Sequence, residues 1–179
     1  MKRLVFGGAL LALMGCDAVI VGDSIVYRAG IHTQEALGGV VHVDVGIGRG
    51  PYFNPFVGDD TLIEAVTSLA PHIRPGGTLV IQDDGSHETR ASYGRFVDDV
   101  EAVVRDDVCI VWVAPWTGVA PERDSEILAA IVERADQRHA VARWDLVASV
   151  EVAPDGLHPN DAGSRAMADV IANAKGECR

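Results

Sequence analysis

The chain is short of basic charge: 15 Lys and Arg stand against 26 Asp and Glu, a formal net charge of -11. Phosphate-backbone recognition needs clustered Lys and Arg, so nucleic acid is excluded as a partner. Aromatic residues make up only 6% of the sequence and there are 3 cysteines, so this is no disulfide-stapled miniature. At 179 residues the chain can bury a core without staples. His42, His72, His87 and His139 are scattered with no metal-ligand spacing, and no metal site is expected. Internal repeats, low-complexity tracts and interdomain linkers are also missing, which leaves one domain. The apolar stretch Leu4 to Met14 is too short to span a bilayer comfortably.

What is present is aliphatic. The hydrophobic share is 48%, much of it in short continuous runs of the kind that form strands buried on both faces. Strands are expected at Asp17–Val21, Val40–Val45, Thr78–Ile81, Val108–Val113 and Ala140–Trp144. Helical patterns at Val26–Leu37, Asp59–Leu69, Tyr93–Arg105, Pro121–Arg138 and Asp161–Ala174 alternate with them. Pro121 suits a first helical turn, Asn160 suits a cap, and Pro75-Gly76-Gly77 reads as a turn into the third strand. The alternation predicts a doubly wound three-layer α/β/α domain on a five-stranded parallel sheet.

The N-terminus has the shape of an export signal: Met1-Lys2-Arg3, the apolar stretch, then Leu13-Met14-Gly15-Cys16. Residues 1–15 are therefore expected to be a leader, with the domain over 16–179. The ending also matches a lipobox, so a lipid on Cys16 is one expectation. In an exported chain Cys178 can pair with Cys109 or with Cys16, or Cys109 can remain a buried free thiol.

Two distant stretches carry the chemistry. Gly22-Asp23-Ser24 ends the first apolar run, and Asp155-Gly156-Leu157-His158-Pro159-Asn160 lies near the C-terminus. A serine hydroxyl becomes a useful nucleophile when an imidazole takes its proton and a carboxylate orients that imidazole. One loop carrying both Asp155 and His158 can deliver base and orienter together. In an open α/β sheet the carboxyl edge, where Ser24 falls, is where ligands bind. Gly46-Ile47-Gly48-Arg49-Gly50 is no dinucleotide fingerprint, because Pro51-Tyr52-Phe53-Asn54-Pro55 follows it rather than a helix.

These blocks, with Asp44-Val45-Gly46-Ile47-Gly48-Arg49 and Leu79-Val80-Ile81-Gln82-Asp83-Asp84-Gly85, resemble in order and content those of SGNH (GDSL-type) hydrolases. The second block is most like that of envelope O-acyltransferase and esterase domains. The resemblance implies a flavodoxin-like fold and a serine esterase acting on O-acyl esters, with a catalytic triad of Ser24, His158 and Asp155. It implies no cofactor. It also implies an oxyanion hole made by the backbone N–H groups of Ser24 and Gly48 and a side-chain amide in the third block.

The amide's position holds Asp84, and an ionised carboxylate cannot donate a hydrogen bond. Three outcomes are open: a protonated Asp84, an amide supplied by Gln82, or a weak enzyme or non-catalytic glycan binder on the same fold. Arg49 and Trp116 are candidates to touch substrate, an acylated small molecule or glycan. Trp112 is expected in the core, and the domain is expected to act as a monomer. An O-acetyltransferase using the same acyl-enzyme is the nearest alternative activity.

Overall fold

A computed structural model describes residues 15–56, 58–83, 88–118, 120–135, 137–148 and 152–178. Residues 1–14 of the expected 1–15 leader, Asp84 and His87 lie outside the described residues. Strands β1 (Cys16–Gly22), β2 (Val41–Val45), β3 (Ile73–Gln82), β4 (Cys109–Val113) and β5 (His139–Ala142) form one sheet in the order β2-β1-β3-β4-β5. Every pairing is parallel. This is the flavodoxin-like order, whose switch point falls between β1 and β3.

The helices are α1 (Ser24–Leu37), α2 (Leu62–Leu69), α3 (Arg90–Val103), α4 (Pro121–Arg134), the short α5 (Asp145–Ala148) and α6 (Asp161–Lys175). A 3-10 turn, Ala70–His72, leads into β3. The period of two along each strand sorts the core into two layers. Val19, Val21, Leu79, Ile81, Ile110 and Trp112 face α2, α3 and α4. Ala18, Ile20, Val80, Val111 and Val113 face α1 and α6. Side chains buried this completely contribute ~1.5–3 kcal/mol each. Trp112 is wholly buried as expected, edge-on to Tyr93 and Phe96, with its indole N–H donating to His139 Nδ1 at 3.2 Å.

Several boundaries differ from the sequence expectations. Strand β3 begins at Ile73, and Pro75-Gly76-Gly77 forms a register irregularity inside it rather than a preceding turn: Cys16 faces Ile73, while Ala18 faces Thr78. Proline is tolerated at such a bulge because no ladder hydrogen bond is asked of it. Helix α4 stops at Arg134, and Arg138 instead extends its guanidinium to the carbonyls of Val104 and Arg105, at 3.1 Å each. Strand β5 ends at Ala142, and the buried Trp144 turns into α5.

Of the open cysteine pairings, the structure contains Cys109–Cys178, with Cα atoms 5.7 Å apart, tying the C-terminal end of the chain to the start of β4. Cys16 is free and wholly buried, its thiol pKa raised by burial and by Asp17. A lipid joined to that sulfur would have to draw it out of the core. Iodoacetamide is predicted to leave native protein unlabelled and to modify one thiol after denaturation without reductant. Cys178→Ser should lower the unfolding free energy by about 2–4 kcal/mol in a denaturant titration. Native labelling of Cys16 would show that this end of the sheet opens.

Candidate active site

Each residue of the Gly22-Asp23-Ser24 turn has its own physical reason. A Cβ at Gly22 would lie 2.5 Å from Val26 Cγ1 and 2.9 Å from the Gln82 carbonyl oxygen, so only glycine fits. Asp23 is the N-cap of α1, its Oδ1 accepting from the Ile25 N–H at 2.7 Å. Because that cap starts the helix at Ser24 rather than Val26, the serine is its first helical residue. Gln82 adds a clamp: its Oε1 accepts from the N–H groups of Val26 at 3.2 Å and Asp23 at 3.4 Å. Two N–H donors fix which end of the amide is the oxygen, so the NH2 end of Gln82 points away from the start of α1.

The second half of the site is a tight loop between α5 and α6. Val152 bridges Pro159, Ala153 N–H donates to the His158 carbonyl at 2.7 Å, and Gly156 N–H donates to the Ala153 carbonyl at 2.9 Å. Asn160 caps α6 as expected, its Oδ1 accepting from the Gly163 N–H at 2.7 Å, and its amide also donates to the Val152 carbonyl. From the other side, Gly118 packs so closely that a Cβ there would sit 2.8 Å from the Gly156 carbonyl oxygen.

Held this way, the loop completes a hydrogen-bonded chain. His158 Nε2 lies 2.9 Å from Ser24 Oγ, and His158 Nδ1 lies 3.0 Å from Asp155 Oδ2. An ionised Asp155 only accepts, which puts the proton of a neutral imidazole on Nδ1 and leaves Nε2 to accept from the serine hydroxyl. The other carboxylate oxygen, Oδ1, accepts from the backbone N–H groups of Leu157 and His158, both at 3.0 Å. Those two bonds, with the imidazole bond after them, pull the Asp155 pKa from its ordinary 3.8 to about 2. Loop and carboxylate thus stabilise one another.

Gly48 stands on the same edge, just past β2. The pairing of Gly22 with Val45 continues into a bond from Gly46 N–H to the Gly22 carbonyl at 2.9 Å, stitching this loop to the turn that carries Ser24. Gly48 has φ of +65°, the left-handed region that favours glycine, and Pro55 closes over it. Among the described residues neither the Ser24 nor the Gly48 backbone N–H has a backbone acceptor.

The expected substrate contact of Arg49 is corrected. Its side chain is only 2% exposed, and its Nη2 donates to Asp44 Oδ1 at 3.1 Å. A buried guanidinium is held by its ion pair and does not face substrate. Trp116 does lie in the loop after β4, half-buried, its indole N–H without an acceptor among the described residues. Asp84 lies outside the described residues; its neighbour Asp83 is buried. Sequence reasoning did not find the Gln82 clamp or the Asp44–Arg49 pair. The available signal for the second was a lone arginine within an acidic, glycine-rich turn.

In fold the chain is similar to the C-terminal catalytic domain of Streptococcus pneumoniae peptidoglycan O-acetyltransferase A, a structure carrying a methylsulfonyl adduct. The two superpose with TM-score 0.67 at 20% identity, over 90% of this chain and 93% of that one. The chain has the SGNH hydrolase fold. A member of the lipolytic G-D-S-L family from Veillonella parvula shares that fold with TM-score 0.60 at 14% identity, over 86% of this chain and 94% of that one. So does a family two carbohydrate esterase from Clostridium thermocellum, with TM-score 0.61 at 12% identity, over 87% of this chain and 62% of that one. No protein-family model and no curated protein sequence matches the chain. The expected SGNH architecture is therefore observed, although sequence identity to each of these structures is low.

The depressed Asp155 pKa has a consequence for stability. A carboxylate favoured in the folded state contributes stability above its unfolded pKa, and that contribution is lost as pH falls through the folded value. Carbon-detected NMR titration should place the Asp155 midpoint near 2, with the His158 loop loosening only as that proton binds. A midpoint near 4 would mean that the backbone bonds to Oδ1 do not form.

Proposed function

We propose that this chain is a serine esterase that cleaves O-acyl esters, most simply O-acetyl esters, of a carbohydrate or cell-envelope substrate through an acyl-enzyme on Ser24. The observation that carries the reading is the unbroken chain from Ser24 Oγ to His158 Nε2 and from Nδ1 to Asp155, at 2.9 and 3.0 Å. His158 takes the serine proton as Oγ attacks the ester carbonyl carbon. The tetrahedral oxyanion is met by the Ser24 and Gly48 N–H groups, the former at the positive end of α1. His158 returns the proton to the leaving alcohol, and water repeats the cycle in reverse. Asp155 keeps the imidazole in the working tautomer and stabilises the imidazolium. These side chains supply every group the reaction requires, and no cofactor is proposed.

The third oxyanion donor is part of the proposal. Losing one such donor typically costs ~3 kcal/mol of transition-state stabilisation. A protonated Asp84 restores it and predicts an activity that falls as pH rises and that carboxylate ionises. Asp84→Asn should then hold activity to higher pH. An unchanged profile would rule out a protonated Asp84 as the third donor.

The likeness to the pneumococcal O-acetyltransferase domain favours one second reading, transfer of the same acyl group to a sugar hydroxyl instead of water. The fold alone does not choose between the two acceptors. Export is proposed with the activity. A structural disulfide suits an oxidising compartment, and among the described residues no helix is long and apolar enough to cross a membrane.

The test is hydrolysis of p-nitrophenyl acetate across pH by protein that retains the whole of β1 from Cys16. Ser24→Ala is predicted to lower kcat by about a thousandfold or more, and His158→Ala by a comparable factor, with the fold intact by circular dichroism. Binding of acylated glycan without Ser24-dependent turnover would replace the enzyme by a binding module.

A further inference from the structure

Asp44, Gly46, Gly48 and Arg49 form a single mechanical unit. Arg49 is buried, and buried charge persists only with close partners. Both partners come from Asp44: Oδ1 accepts from Nη2 at 3.1 Å, and the backbone carbonyl accepts from Nη1 at 3.3 Å. The guanidinium thus closes a ring across the turn that starts where β2 ends. Inside that ring lies Gly46. A Cβ there would sit 2.9 Å from Arg49 Nε, and the three heavy atoms nearest to it all belong to Arg49. Glycine is required at 46 for room rather than for an unusual backbone angle, because its φ is not positive. Among the described residues Arg49 Nε itself has no hydrogen-bond acceptor, as expected of a group placed by packing on Gly46.

The turn enclosed by this ring carries Gly48. Its backbone is pinned at three points: Gly46 N–H to the Gly22 carbonyl at 2.9 Å, Arg49 N–H to the Gly46 carbonyl at 3.4 Å, and Gly50 N–H to the Phe53 carbonyl at 2.8 Å. None of these bonds uses the Gly48 N–H. Because the next bond back leads to Gly22, two residues before Ser24, any tilt of the turn moves the Gly48 N–H relative to the nucleophile.

We infer that Arg49 is a positioning residue: its buried pairing with Asp44, packed on Gly46, holds the turn that presents the Gly48 N–H to the reacting carbonyl oxygen. The kinetic part of this inference rests on the esterase reading; the mechanical part does not. A donor displaced by about 1 Å loses up to about a hundredfold in rate, and the loss falls on kcat because the oxyanion exists only in the transition state.

The experiment is a small cycle of variants assayed beside wild type and Ser24→Ala, with amide hydrogen exchange recorded for each. Arg49→Ala should lower kcat by about thirtyfold or more with KM within about threefold, and speed exchange at Gly46, Arg49 and Gly50 but not in β1 or β3. Gly46→Ala should lower kcat by about tenfold, because its methyl group displaces the guanidinium. The double variant Gly46→Ala/Arg49→Ala should be no worse than Arg49→Ala alone, since the methyl then has nothing to displace. Arg49→Lys should recover part of the loss by keeping the charge against Asp44 without the two-point hold. Folded Arg49→Ala with wild-type kcat overturns the inference, as do losses that simply add in the double variant, or a change in KM alone. If wild type itself shows no Ser24-dependent turnover, the esterase reading fails, and the exchange data still decide whether Arg49 holds the turn.

Discussion

The active edge depends on how closely β3 approaches the backbone at the end of β1. Gly22 is caught between Val26 of α1 and both the carbonyl and the side chain of Gln82, with no space for even one methyl group. That contact fixes where the chain leaves the sheet. Asp23 and Gln82 together take up N–H groups at the start of α1, so the helix begins at Ser24 and nowhere else. The strand order places this turn at the switch point, flanked by the chain leaving β2 on one side and β3 on the other. The ends of β2 and β3 are therefore brought beside the turn that carries Ser24 by sheet pairing, before any side chain adds to it.

The opposite wall is built by a different device. The loop before α6 rests Val152 and Leu157 on the core layer under α1 and α6, and its shape is held by hydrogen bonds with Asp155 at their centre. One oxygen of that carboxylate binds its own loop backbone and the other binds the imbedded imidazole of His158. The carboxylate that holds the His158 imidazole thus also shapes the loop that carries it. Asn160 joins this loop to α6, and Gly118 supports it from the loop after β4. In the second block the same economy recurs in the pair of Asp44 and Arg49, where a buried charge spans the turn that carries Gly48.

Much of this was legible in the residues. Alternating aliphatic runs and helical patterns gave the layers and the number of strands, because burial on both faces leaves a plain compositional mark. The hydrogen-bonded chain of Ser24, His158 and Asp155 was legible because Gly-Asp-Ser and Asp-x-x-His are compact side-chain patterns that a parallel sheet can bring together. Arg49 was misread because a sequence shows charge but not depth, and arginine is usually solvated. The early start of β3 was missed because Pro75-Gly76-Gly77 carries the marks of a turn, whereas a bulge tolerates the same residues. Cysteine pairing depended on which ends of the sheet meet in space, and spacing along the chain does not hold that information. Helix α1 began early because a cap, not the first apolar residue, sets the start of a helix.

The central claim is that Ser24 is a nucleophile activated by His158. It is tested most directly by treating the folded protein with methylsulfonyl fluoride and mapping the product by peptide mass spectrometry. The account predicts one sulfonyl group per chain, on the peptide containing Ser24, with labelling slowed strongly in His158→Ala and absent in Ser24→Ala. Folded protein that stays unmodified, or that is modified elsewhere at the same rate in all three forms, would contradict it.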